Sequence, residues 1–139
     1  MRGLFAIAIL ALSAACSGHH APLVATDVDI HRPMAGLQVS AGYLALTNNT
    51  SESIVITDVS SPQFGSVEMH ESKIEDGISR MRPLAELAVL PGETVRFQPG
   101  GKHLMLMRPK EDLNQVTLEF HAGQSIVLRV DTALTDEAQ

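Results

Sequence analysis

A chain of 139 residues with ten Lys and Arg against sixteen Asp and Glu has a formal net charge of −6, and so lacks the basic footprint that nucleic acid requires. Its single cysteine excludes an intrachain disulfide and a dithiol reductase site. The length is enough for one domain around one core.

Residues 1–15 read as an export signal: Arg2 supplies a positive charge, Leu4 to Leu12 form an apolar run, and Ser13-Ala14-Ala15 form a small-residue patch. The run falls well short of the roughly 20 apolar residues of a membrane-spanning helix, and the patch after it suits cleavage. Leu12-Ser13-Ala14-Ala15-Cys16 resembles a bacterial lipobox, with Ser13 standing where leucine is commoner. The mature chain is therefore expected to begin at Cys16, to carry lipid there, and to lie in the bacterial periplasm with no other membrane contact. Residues 16–22 read as a tether, in which His19-His20 is a candidate weak Cu(II) site set against the plainer reading of a solvated spacer.

From Leu23 onward apolar residues alternate with polar ones and are interrupted at short intervals by turn residues, the pattern of a small all-β sandwich or barrel. Expected strands are Val24 to His31, Val39 to Thr47, Ser53 to Ser60, Ser66 to Ser72, Gly77 to Arg82, Glu93 to Phe97, Lys102 to Arg108, Gln115 to Phe120 and Ser125 to Val130. The breaks between them carry turn chemistry: Asn48-Asn49, Asp76-Gly77, Pro91-Gly92, Pro99-Gly100-Gly101 and His121-Ala122-Gly123. One domain over residues 23–131 is expected, followed by a frayed polar tail over 132–139.

Four soft or borderline donors stand out, His70, Met81, His103 and Met105, spaced H-x10-M-x21-H-x-M. Two imidazoles and two thioethers without a thiolate select Cu(I), because polarisable sulfur suits a monovalent d10 ion better than Zn(II), Mg(II) or Ca(II). A thioether also cannot be lost to disulfide formation outside the cytoplasm. A two-residue turn at Asp76-Gly77 pairs Glu75 with Ile78 and so sets Ser72 opposite Met81. His70 then shares a face with Met81 as a diagonal neighbour, about 7–8 Å away and within reach of a long methionine. His103 and Met105 share a face of another strand, while Leu104 and Leu106 point to the other side. A lone Met in a strand is more often core filler, and a lone His more often a surface residue. That reading accounts poorly for all four falling on common faces with leucines between them, and residue type alone leaves both readings open.

Several neighbours carry the plainer reading. Met107 shares the face of His103 and Met105, as core packing or as an alternate thioether, and Met69 should point away from His70, as a core or a lip residue. His31 and His121 show no identifiable partner and read as surface. Gly100-Gly101 lacks the Lys-Ser/Thr and following helix of a phosphate loop, so backbone freedom before the ligand strand explains it better.

The motif and its surroundings, Tyr43-Leu44-Ala45-Leu46-Thr47-Asn48, Val67-Glu68-Met69-His70-Glu71, Met81-Arg82-Pro83 and Pro99 to Met107, resemble the PCu(A)C family of periplasmic copper chaperones over roughly Leu23 to Val130. The resemblance implies a cupredoxin-like Greek-key β-sandwich or barrel. It implies that His70, Met81, His103 and Met105 carry Cu(I), and that copper is delivered toward the binuclear copper centre of a respiratory haem-copper oxidase, sometimes alongside a Sco-type thiol protein. Many relatives add a His- and Met-rich extension; residues after Val130 include neither type, so a single high-affinity site on a monomer is expected. The competing function is copper sequestration without a dedicated recipient. An enzyme is not expected, since no acid/base constellation or second copper site is visible.

Overall fold

A computed structural model describes residues 21–110 and 113–136. The expected leader over 1–15, Cys16 and His19-His20 lie outside the described residues.

Alternation in the sequence becomes alternation in burial. In β2 (Val39–Asn48), Ser40, Gly42, Leu44, Leu46 and Asn48 face inward; Leu104 and Leu106 do so in β9 (Lys102–Pro109), and Val116, Leu118 and Phe120 in β10 (Gln115–Ala122). Period-two patterning of this kind suits a sheet that is apolar on one side and wet on the other. The remaining strands are β1 (Leu23–His31), β3 (Ile54–Ile56), β4 (Asp58–Ser60), β5 (Phe64–Glu75), β6 (Ile78–Pro83), β7 (Leu87–Val89), β8 (Thr94–Phe97) and β11 (Ser125–Thr135).

The main sheet runs β4-β10-β11-β1-β2-β8-β9-β5-β6, and the additional β4–β5 pairing, Val59 opposite Val67, closes it into a barrel. Closure removes most exposed edges. β6 lies outside the ring, paired only with β5, and every one of its residues is exposed. β3 and β7 form a separate two-stranded sheet. Within the barrel, β1, β2 and β9 approach closely at Gly42, where an added Cβ would lie 2.7 Å from Ile30 Cδ1 and 3.1 Å from Leu106 Cδ1, so a side chain there would have to push the Ile30 side chain aside.

The all-β expectation holds, with three corrections to element bounds. The strand expected over Ser53 to Ser60 is two, split at Thr57, whose N–H and hydroxyl both reach the His121 carbonyl. β3 pairs with β7, a strand absent from the expected set, and β4 joins the barrel. The expected tail over 132–139 begins too early: β11 continues to Thr135, with Leu134 buried and paired in parallel with Ile30.

Candidate metal centre

The site begins with the turn at Asp76-Gly77. Both residues take positive φ, 54° and 76°, as a type I′ hairpin requires, and the register follows: Glu75 opposite Ile78, Ser72 opposite Met81. On the other side of β5, antiparallel pairing with β9 sets His70 directly opposite His103 and Glu68 opposite Met105. The two-residue period puts Glu68, His70, Ser72, Met81, His103 and Met105 on one face. Leu104 and Leu106, between and beyond the ligand positions, have no exposed surface. They fasten the ligand strand to the core.

The imidazoles of His70 and His103 lie with ring centroids 5.9 Å apart, tilted by 44°. His103 Nε2 is 3.1 Å from Met81 Sδ, while its Nδ1 is 3.1 Å from the Gly101 carbonyl oxygen. A carbonyl only accepts, so in the neutral ring Nδ1 carries the proton and the Nε2 lone pair faces the sulfur. His70 has the opposite arrangement. Its Nε2 is 2.9 Å from Glu68 Oε2, a carboxylate that accepts, and its buried Nδ1 has no hydrogen-bond partner among the described residues.

The Pro99-Gly100-Gly101 turn supplies the anchor for His103. Gly100 adopts φ +77°, and the Gly101 carbonyl that results accepts both the Ser72 N–H at 3.0 Å and the His103 ring. One carbonyl thus ties β5 to the ligand ring of β9. Nothing in residue type announced that role, although the glycine pair marked the need for backbone freedom. On the opposite face Glu71 accepts from Lys73 at 2.9 Å and from Lys102 at 3.0 Å. These two lysines, Lys73 foremost, hold its carboxyl below the usual carboxylate range. Lys102 pairs across from Glu71, so the ion pair clamps the two strands one residue away from the histidines.

Met81, His103 and Met105 open onto a groove of about 440 Å³ that is shared with Met34, His31 and Tyr43. Met81 is 52% exposed, so a ligand exchange partner has access to it. His70 sits behind, with its side chain only 13% exposed. Met69 is buried in the core, one of its two expected places; Met107 is half-buried on the ligand face, opposite Ser66 and Val39. His31 and His121 do have partners. His31 contacts Asp29 at 3.2 Å and meets the Tyr43 ring edge-on, and His121 Nε2 lies 2.8 Å from Ser60 Oγ.

Among the described residues no three His, Cys, Asp or Glu side chains are placed to hold a metal. The mixed set remains: two imidazoles on facing strands, one in contact with a thioether, and a second thioether two residues along. These donors suit a soft monovalent cation.

The fold is that of the PCuAC type of β domain, so the resemblance drawn from the motif is borne out, as is the cupredoxin-like all-β fold. Structural similarity extends to the copper-bound PCuAC domain from PmoF2, with a TM-score of 0.62 at 19% identity over 85% of this chain and 94% of that one. It extends also to apo-DR1885 from Deinococcus radiodurans, with a TM-score of 0.58 at 18% identity over 100% and 97%. Residues 23–132 match the family described as "Putative lipoprotein LpqE-like", and the chain belongs to that family. An uncharacterized protein of Rickettsia prowazekii, RP573, is 31% identical over 100 residues, which is 68% of this chain and 55% of that protein. The chain spans little more than half the length of the curated relatives it matches.

Proposed function

We propose that this protein is a carrier of Cu(I) in the bacterial envelope, holding one ion between His70, Met81, His103 and Met105. The observation that carries the reading is the 3.1 Å approach of His103 Nε2 to Met81 Sδ from two different strands, with His70 opposite His103. Two lone-pair donors facing one another without a proton between them gain from a shared cation. The match to a domain described as copper-bound supports the choice of metal.

The arrangement suits transfer. Neutral thioethers hold Cu(I) without a compensating charge, and a partner entering the groove displaces Met81 first because that side chain is exposed on a strand outside the barrel. The imidazoles, anchored by Gly101 and Glu68, release last. The recipient we propose is the copper-bearing subunit of a respiratory haem-copper oxidase, with a Sco-type thiol protein as a partner in the same delivery. The lipoprotein description of the family supports a lipid anchor at Cys16, which would keep the carrier at a membrane surface of the envelope.

Deletion of the gene is expected to lower oxidase activity when copper is scarce, with added copper restoring it by mass action. Normal oxidase activity under scarcity together with poor growth in excess copper would replace delivery by sequestration. Acylated Cys16 in the membrane fraction is expected by mass spectrometry; a soluble form starting elsewhere would refute the anchor alone.

A further inference from the structure

Glu68 holds the His70 ring from one nitrogen only, and which nitrogen it holds has a consequence for the other. It lies two residues before His70 on the same face of β5, opposite Met105, and its Oε2 is 2.9 Å from His70 Nε2. Glu68 is not a third hard donor, since no group of three such side chains is placed to hold a metal among the described residues. It acts on the ring instead. A carboxylate at Nε2 keeps the proton on that nitrogen, which strips it from Nδ1, and Nδ1 is the buried atom without a partner. An unpaired buried acceptor is destabilising, and a cation that bonds to it removes that cost.

We propose that Glu68 is a positioning residue that fixes the tautomer of His70, so that His70 binds the soft cation through Nδ1 while His103 binds it through Nε2. The two rings are thus used in opposite senses, each set by what holds its other nitrogen: a carboxylate for His70 and the Gly101 carbonyl for His103. Partners of this kind orient the ring and raise its basicity toward metal. The charge state matters as well. The anionic Glu68 draws the Nε2–H bond toward itself and makes His70 the stronger donor of the pair, whereas a neutral carbonyl leaves His103 the weaker one. Release should then run from Met81 through His103, both of which open onto the groove, and end at His70.

This inference rests on the four-ligand reading, and one experiment separates the two. Protein labelled with nitrogen-15 in histidine is followed by long-range proton–nitrogen NMR before and after one equivalent of Cu(I), which is diamagnetic. The apo protein should show His70 protonated at Nε2 and His103 at Nδ1. Loading should perturb Nδ1 of His70 and Nε2 of His103. Glu68→Ala should give a mixed His70 tautomer and about tenfold weaker Cu(I) binding, while Glu68→Gln, whose neutral side-chain carbonyl still accepts from Nε2, should restore the single tautomer but only part of the affinity. The Glu68 side chain is half exposed, and circular dichroism of each variant checks the fold independently. Perturbation at His70 Nε2, with Nδ1 protonated, overturns the inference and leaves the ligand set standing. Unchanged tautomer and affinity in Glu68→Ala also overturns it. Copper that leaves both imidazoles unperturbed overturns the ligand set and the inference together.

Discussion

Met81→Leu separates binding from folding more cleanly than any other change at the site. Met81 lies on β6, whose residues are all exposed and which pairs only with β5; a leucine there keeps the volume and removes the sulfur. Apo stability should stay within about 0.5 kcal/mol of wild type in urea unfolding, as for ordinary surface positions. Binding should suffer much more. The lost Sδ is the atom 3.1 Å from His103 Nε2, and if residues that only support a ligand are worth about 10–100-fold in affinity, a direct donor belongs at or above the upper figure. About 100-fold corresponds to about 2.7 kcal/mol, which should appear as an equal loss of Cu(I)-induced stabilisation. Anaerobic competition with a chromophoric Cu(I) chelator reads the affinity directly. Met34→Leu is the matched control: Met34 is 57% exposed and opens onto the same groove, but lies outside the ligand set, so its loss should leave Kd unchanged. Wild-type affinity in Met81→Leu, or an equal loss in Met34→Leu, would refute the reasoning.

Leu104→Ala should do the reverse of Met81→Leu, costing about 2–5 kcal/mol in urea unfolding, because Leu104 is fully buried between the two ligand positions of β9. Asn48→Ala should cost about 2–3 kcal/mol by the same measurement. Its buried amide donates to the Val89 carbonyl at 2.9 Å and the Glu52 carbonyl at 2.7 Å, and its Oδ1 accepts from the Thr50 N–H and hydroxyl. Glu71→Gln should lower stability at neutral pH by on the order of 0.5–1 kcal/mol, as for a small exposed ion-pair network. The folded-state pKa of Glu71 is depressed, so its contribution is present above the unfolded value and lost as pH falls through the folded one. The gap between Glu71→Gln and wild type should therefore close in acid; a gap that persists there would contradict the ion-pair explanation.

The hairpin that carries Met81 was legible because Asp76-Gly77 admits one common turn, after which register is counting. The face of His103 and Met105 was legible because leucines fill the alternate positions. Long-range pairing was not. Leu87–Val89 is too short to show a period, and its partner Ile54–Ile56 lies more than thirty residues earlier in the chain; the break between β3 and β4 depends on the His121 carbonyl meeting Thr57. β11 looked finished at Val130 because the residues beyond are mostly polar, yet Leu134 alone gives its last turn of alternation a place in the core. Asn48 read as a turn residue by type. The structure buries it, because an amide with two donors and an acceptor can close β2 onto two loops at once. The partners of His31 and His121 follow from pairings no local pattern reveals, and the same is true of Glu68: its two-residue offset from His70 is visible, but that its carboxylate bends toward Nε2 is a fact of side-chain geometry.

X-ray absorption on the protein loaded anaerobically with one equivalent of Cu(I) tests the central claim most directly. Two nitrogen and two sulfur donors around one copper are expected, with sulfur scattering reduced in Met81→Leu and nitrogen scattering reduced in His103→Ala. A first shell of nitrogen and oxygen alone, or a shell unchanged in both variants, would contradict the account.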